Sequence, residues 1–271
     1  MFVFTILATY LGAGLLLLAS PAPETDGKPR PSAAMRDRVL TSLLTLIIVL
    51  HGASLAHDVL LNVDHGFGFA DVVNVIAWLF AAIGLYAALQ QGFRAVAGVV
   101  LAIAGILVAI CLTIETGTGA PLTWQLKLHA VLSLLAYSFL ASGAVLAMAS
   151  LVQDSQLRAA KVNRLSSVLP PLMATEQFLA TLTTAGFVFL LMAITSGFVF
   201  VEDLFTQHLT HKSALSLGAL VIFGLLVVGR RAAGWRGRRM LHLYLAGFAV
   251  LVLAYFGSKI VLEVMLDKQW G

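Results

Sequence analysis

Histidines are the side chains of this sequence that are best suited to chemistry, and the chain has seven of them. His51 lies within the apolar stretch IIVLHGASL, and His129 lies near the start of the apolar stretch LKLHAVLSLLAYSF. A neutral imidazole can bind haem iron, copper or zinc, and it can also carry a proton. An ionisable side chain inside a membrane segment is costly, so both positions predict a functional site. The alternative for each is a structural imidazole that is hydrogen-bonded to a neighbouring helix.

The other five histidines give weaker signals. His208 and His211 form an H-x-x-H pair next to two acidic residues, a pattern that fits half of a zinc or copper site. No cysteine and no H-E-x-x-H motif accompanies the pair, so solvated loop histidines are the simpler interpretation, and the identity of any metal stays open. The remaining three are typical of ordinary loop or helix-end residues: His57, His65 and His242.

The composition excludes an ordinary soluble domain. Of the 271 residues, 60% are hydrophobic and 11% are charged, whereas soluble domains carry about 25% charged residues. Apolar runs of roughly 20 residues can cross a bilayer as helices, and the sequence has eight runs of about this length, near 2–19, 39–60, 70–89, 93–114, 126–152, 177–200, 212–229 and 240–264. They lack the alternating polarity of a β-barrel. We therefore predict an all-α polytopic membrane protein with eight transmembrane helices in a single domain, residues 1–271.

The basic residues indicate the topology. Of the 17 lysines and arginines, 13 lie in the first, third, fifth and seventh connections between the runs. The positive-inside rule then places these connections in the cytoplasm and both termini outside, in a bacterial inner membrane. The first run lacks a basic stretch before it, so we expect an uncleaved helix rather than a signal peptide. In this topology six of the seven histidines lie towards the outer face, and only His242 lies on the cytoplasmic side.

No catalytic set emerges from the sequence. It contains no G-x-S-x-G motif, no Walker loop and no pair of acids within one segment. The net charge of +4 is explained by the basic connections, so we expect no nucleic acid partner. Lys259 and Glu263 are four residues apart, as in an ordinary helix-surface ion pair. We therefore expect a protein that is not an enzyme and whose main contact is with the lipid bilayer.

Several motifs resemble the cytochrome c assembly family of haem-handling membrane proteins, and in particular its smaller YpjD-like and HemX-like branch. The stretch WQLKLHAVLSLLAY resembles the family helix that begins with an outer haem-ligating histidine, which places His129 at that position. His51 matches a histidine on the second helix of the YpjD-like branch. The other matching motifs are spread over the second half of the chain: LPPL at 169–172 with Glu176, TSGFVF at 195–200, GWRGRR at 234–239 and LAYFGSK at 253–259.

The resemblance implies haem as a cofactor, but part of the family's haem apparatus is missing here. The Trp-rich segment of the larger members is replaced by FTQHLTHK at 205–212. A histidine that the family has at the end of the next helix is replaced around Val228, and the second outer histidine after the last helix is absent. His211 lies near the replaced segment and could take over a lost ligand. The resemblance therefore implies the fold more strongly than it implies haem delivery to cytochrome c.

Three functions follow from these observations. The first is a membrane protein that holds or handles haem near the outer leaflet, in cytochrome c maturation or in haem regulation, with His129 and either His51 or His211 as ligands and with a membrane protein as a further partner. The second is a transporter or transport accessory in which His51 is a proton or cation site, although paired broken helices are not visible. The third is an assembly factor without a ligand, in which the histidines are structural.

Overall fold

The computed structural model describes residues 2–19, 31–58, 68–90, 92–113, 123–159, 170–200 and 210–254. These residues form eight α-helices and no strand. In chain order the helices are α1 (Phe2–Ala19), α2 (Pro31–Ala56), α3 (Phe69–Leu89), α4 (Arg94–Cys111), α5 (Trp124–Arg158), α6 (Leu172–Phe200), α7 (Thr210–Ala233) and α8 (Arg238–Val252). Helices are the physical consequence of long apolar runs, because a helix satisfies its own backbone hydrogen bonds in lipid.

Seven of these helices, α1 to α7, are long and apolar enough to cross a membrane. The prediction of an all-α polytopic membrane protein is therefore confirmed. The predicted eighth run, 240–264, begins in α8, and its last ten residues lie outside the described part of the chain. The 35 residues of α5 exceed the roughly 20 that a bilayer core needs.

The chain divides into two compact units. The N-terminal unit comprises Met1–Leu122 with Ser155–Ala174, and the C-terminal unit comprises Thr123–Asp154 with Thr175–Gly271. The expectation of one domain over residues 1–271 stays a prediction.

In the N-terminal unit, α4 packs against both α1 and α3, and α2 contacts α1 and α3. Glycines allow the closest of these approaches. A Cβ on Gly14 would lie 2.9 Å from the backbone N of Ala102 and 2.9 Å from the carbonyl O of Gly98. Gly98 faces Gly14 in the same way, at 2.9 Å from its carbonyl O. Small residues are typical of membrane helix interfaces because they let backbones come together.

An ion pair joins the starts of two helices in the same unit. Arg94 at the start of α4 holds both carboxylate oxygens of Asp37 in α2, with Nη2 donating to Oδ1 at 3.0 Å. A bidentate guanidinium–carboxylate pair is among the stronger charged hydrogen bonds. The pair brings the first and third connections to the same end of this unit.

Proline sets the start of α6. Pro170 and Pro171 immediately precede the helix. Because proline lacks a backbone N–H and its ring clashes with the preceding turn, the helix cannot extend to earlier residues. The helix begins at Leu172, and Thr175 is buried within it. Within the C-terminal unit, the backbone N–H of Gly237 donates to Oε1 of Glu176 at 3.2 Å, so the second turn of α6 lies against the start of α8.

We predict that Gly14→Ala lowers the free energy of unfolding by about 1–3 kcal/mol, because the new methyl group would overlap backbone atoms of α4 that cannot turn away. Detergent-solubilised protein unfolded by heat or by sodium dodecyl sulfate measures the change. Gly12→Ala is the matched control, since a Cβ there meets nothing within 4 Å. Equal stabilities of the two variants would contradict close packing of α1 on α4.

Candidate functional site

The imidazole of His129 is held by the last turns of α6. Its Nδ1 lies 3.0 Å from the carbonyl O of Ala193 and 3.1 Å from Oγ of Ser196. A carbonyl oxygen can only accept a hydrogen bond, so Nδ1 carries the proton. The hydroxyl of Ser196 donates to the same carbonyl at 2.8 Å, so its oxygen is turned to accept from the ring. Two oxygens of α6 therefore fix the tautomer of His129.

Gly197 completes this cradle. A Cβ at position 197 would lie 3.1 Å from Cε1 and 3.5 Å from Nδ1 of His129, which is tight contact. The motif TSGFVF at 195–200, which the sequence showed only as a family resemblance, therefore has a structural role. Ser196 bonds to the ring, and Gly197 leaves the space that the ring occupies.

The arrangement suits a metal ligand. A neutral imidazole that is protonated on Nδ1 has its lone pair on Nε2, the atom that binds iron or zinc. Metal-binding histidines usually donate the other N–H to a carbonyl or carboxylate, which orients the ring and raises its basicity. The Ala193 carbonyl supplies this second contact. The residues around His129 therefore fit a histidine that would hold a haem iron through Nε2.

Aromatic and apolar side chains surround this end of α5 and α6. The ring of Trp124, the first residue of α5, meets Phe200, the last residue of α6, edge to face with centroids 5.6 Å apart. Trp124 and Phe198 are exposed on this surface, as is Val199. His129 itself is partly exposed. Exposed aromatic and apolar side chains at the same helix ends as an oriented imidazole are chemically suited to a large planar cofactor.

His51 has a different environment, deep in the N-terminal unit. Its side chain is 1% exposed. Nδ1 lies 3.0 Å from the hydroxyl of Tyr10 in α1, and Nε2 lies 3.1 Å from Oδ1 of Asn74 in α3. With the amide oxygen of Asn74 facing the ring, Nε2–H donates to Asn74 and Nδ1 accepts from Tyr10. The imidazole thus joins three helices.

Trp78 reinforces the same junction. Its indole N–H donates to the carbonyl O of Ile48 in α2 at 2.9 Å. Gly52 makes room for the indole, since a Cβ there would lie 2.8 Å from Nε1 of Trp78. Because both ring nitrogens of His51 are engaged, His51 could bind iron only after one hydrogen bond breaks. Its assignment as a ligand stays a prediction.

The remaining candidates give little further geometry. His211 is the second residue of α7, and its side chain lies outside the described part of the structure, as do His65 and His208. His57 is exposed and bonds to Oδ1 of Asp58 at 3.1 Å. His242 is exposed on α8. Among the described residues there is no group of three or more histidines, cysteines or acids that could hold a metal ion.

Sequence reasoning missed the partners of both histidines. Tyr10 and Asn74 are polar residues in apolar runs, which is a usable signal for a buried network. Ser196 and Gly197 were noted only as part of a motif. Their pairing with His129 spans 67 and 68 positions along the chain, and no local pattern encodes such a distance.

The fold and the candidate site define a class: a multi-pass, all-α protein of the bacterial inner membrane with an oriented histidine at one helix end. The model of the family described as "Cytochrome C assembly protein" matches residues 115–266, which is more than half of the chain. The protein therefore belongs to the cytochrome c assembly family. The matched region contains His129 and its partners in α6.

Curated relatives agree with this assignment. The chain is 34% identical over 137 residues to the inner membrane protein YpjD of Escherichia coli K12, covering 51% of this chain and 52% of YpjD. It is 31% identical over 150 residues to the "Uncharacterized 28.8 kDa protein in nifR3-like 5'region" of Azospirillum brasilense, covering 55% of each. The chain thus spans about half the length of the curated relatives it matches. No solved structure matches.

We predict that Tyr10→Phe destabilises the protein by about 1–2 kcal/mol, because it removes the hydroxyl group that makes a buried hydrogen bond with Nδ1 of His51. Unfolding in detergent measures the change. Thr9→Val is the matched control, since the Thr9 hydroxyl bonds to the carbonyl of Thr5 in its own helix. In the His51→Ala background the effect of Tyr10→Phe should largely disappear; an unchanged effect would argue against the Tyr10–His51 bond.

Proposed function

We propose that this protein binds haem non-covalently near the start of α5 and the end of α6, with Nε2 of His129 as an iron ligand, and that it holds or hands on the cofactor. The observation that carries the proposal is the donation of Nδ1–H to the Ala193 carbonyl. When bound, haem supplies the iron-centred ligand and redox chemistry. The residues of the chain orient the ligand, provide an apolar surface and limit access of water.

Family membership supports the cofactor, and geometry supports the residue. The cytochrome c assembly family is associated with haem, so the chemistry is expected of its members. His129 also lies where the family resemblance puts an outer ligand. Participation in cytochrome c maturation or in haem regulation is part of the same proposal, and a membrane protein would be the partner that supplies or receives haem.

A second histidine ligand would come from His211 or His51. His211 belongs to the same unit as His129, at the start of the helix that follows α6, which favours it. His51 belongs to the other unit and is engaged by Tyr10 and Asn74. We therefore assign His211 as the preferred partner of His129 and His51 as the alternative.

A second candidate function has one specific observation in its favour. This function is an assembly factor without a ligand. The buried hydrogen bonds of His51 favour it, because they join three helices and need no ligand. A transport role for His51 receives less support, because proton or cation transfer needs a path to water and this imidazole is 1% exposed.

The proposed topology has eight spans with both termini outside the cytoplasm. The Asp37–Arg94 and Glu176–Gly237 contacts support it, because each joins two connections that the positive-inside rule puts on the cytoplasmic side. In this topology the start of α5 and the end of α6, and therefore His129, are near the outer leaflet.

We predict that purified protein with added haem shows a Soret band and that His129→Ala reduces this band at least tenfold, because it removes the iron ligand. His242→Ala is the matched control, since it removes an exposed histidine from another helix. The spectrum of His211→Ala and of His51→Ala then identifies the second ligand by a change in band position or intensity.

A second variant displaces the ring of His129 but keeps the imidazole, and thermal unfolding shows whether the variant is folded. Gly197→Leu should weaken haem binding about 10–100-fold by displacing the ring, as loss of an orienting contact does in metal sites. Gly218→Leu is the control, because position 218 is nearly open, with its nearest atom at 4.0 Å. The proposal would be contradicted if the wild-type protein bound no haem or if the His129→Ala variant bound haem normally.

We predict that a cysteine at position 236 is labelled by an impermeant thiol reagent only after the membrane is opened, whereas a tag at the C-terminus is accessible from outside. Cys111→Ala provides the cysteine-free background, since Cys111 is the only cysteine. A C-terminal tag that is protected in intact cells would overturn the eight-span topology.

A further inference from the structure

A groove of about 670 Å³ runs between α6 and α7 in the C-terminal unit, with Met240 of α8 also in its wall. Its α6 side is formed by residues spaced four apart, Ala180, Thr184 and Val188. On α7, Leu226 and Arg230 are likewise four apart, and their neighbours Val227 and Arg231 also line the groove. Residues four apart share one face of a helix, so each helix presents a continuous strip to the groove.

The groove is charged at one end and apolar along its length. Arg230 and Arg231 lie in the last turn of α7, at the end of a membrane-spanning helix. Val188, Phe189 and Leu226 lie deeper along the two helices. From Thr181 to Val188 the wall extends seven residues, or about 10 Å along the helix axis. An occupant would therefore have a charged head and an apolar tail.

The hydroxyls in the wall are engaged with their own helix. Thr181 Oγ1 donates to the carbonyl of Gln177 at 3.2 Å, and Thr183 Oγ1 donates to the carbonyl of Leu179 at 2.6 Å. The strongest donors that line the groove are consequently the two guanidinium groups. Arg230 Nη1 lies 3.9 Å from Sδ of Met240, which is a weak acceptor.

The charge around this end is strongly positive. Residues 230–239 include five arginines. The described residues of the C-terminal unit contain two carboxylates, Asp154 and Glu176, and Oε1 of Glu176 accepts from the backbone N–H of Gly237. Anionic groups are therefore favoured at the mouth of the groove.

We propose that this groove is a binding site for an anionic phospholipid. The phosphate binds Arg230 and Arg231, and an acyl chain lies along Val188, Phe189 and Leu226. Guanidinium groups suit phosphate because their paired N–H donors match its oxygens. Basic pockets between transmembrane helices on the cytoplasmic side bind the head groups of such lipids. A soluble phosphate would need the arginines only, whereas the apolar wall is explained by a lipid chain.

The test is a titration of the purified full-length protein in detergent, followed by native mass spectrometry. Phosphatidylglycerol is compared with phosphatidylcholine, and inorganic phosphate and glycerol phosphate are the soluble competitors. The variants are Arg230→Gln/Arg231→Gln, the matched pair Arg236→Gln/Arg238→Gln outside the groove, and Val188→Trp, which fills the apolar wall and keeps both arginines. Size-exclusion profiles and thermal unfolding show whether each variant is folded.

Wild-type protein should bind phosphatidylglycerol at least tenfold more tightly than phosphatidylcholine. The Arg230/Arg231 pair variant should lose about 25-fold, since each basic residue near an anionic surface accounts for roughly a fivefold effect. The Arg236/Arg238 pair variant should stay within about twofold. Val188→Trp should weaken phosphatidylglycerol binding, and this variant carries the test if the first pair variant does not fold.

Three results would overturn the proposal. Equal binding of the two lipids, or equal losses in both arginine pairs, would indicate only general attraction to a basic surface. Complete displacement of the lipid by inorganic phosphate, together with full binding in Val188→Trp, would indicate a soluble anion site. Haem loading tested in parallel is expected to be unchanged in Arg230→Gln/Arg231→Gln, so the lipid site and the haem site are judged separately.

Discussion

Polar groups in the hydrocarbon core of a membrane have no water to bond to, and this constraint explains much of the structure described above. The backbone meets it by forming helices. The side chains meet it by bonding across helices: His51 to Tyr10 and Asn74, Trp78 to the carbonyl of Ile48, and Tyr244 to the carbonyl of Leu140 at 2.9 Å. These bonds also fix which helices are neighbours within each unit, because each donor needs its acceptor at a defined place.

Glycine provides the space for these bonds. Gly52 admits the indole of Trp78, and Gly197 admits the imidazole of His129. Gly143 does the same for Tyr244, whose hydroxyl oxygen would overlap a Cβ at that position. Association of helices in lipid depends on packing and interhelical hydrogen bonds rather than on a hydrophobic force, so such small residues matter more than they would in water.

The two intramembrane histidines obey the same constraint with different chemical results. His51 has a partner on each ring nitrogen, as expected of a junction between helices. His129 donates Nδ1–H to the Ala193 carbonyl, which puts its lone pair on Nε2, the atom through which we propose that it binds iron. A sequence shows two similar imidazoles in apolar runs, whereas the surrounding acceptors decide which ring nitrogen of each carries the proton.

The sequence by itself determined the class of protein, the family and the position of an apolar run within each helix, because apolar run length and local motifs are properties of contiguous residues. The bounds of α1, α3 and α4 agree with their runs to within three residues, whereas α2 begins eight residues before its run and α5 ends six residues after its run. It also identified His129 and His51 as the polar residues that needed an explanation. Only the tertiary structure decided their partners: Ser196 and Ala193 for His129, and Tyr10 and Asn74 for His51. The physical reason is that a hydrogen bond acts over about 3 Å between helices that are distant in sequence, and no periodicity along the chain records which faces meet.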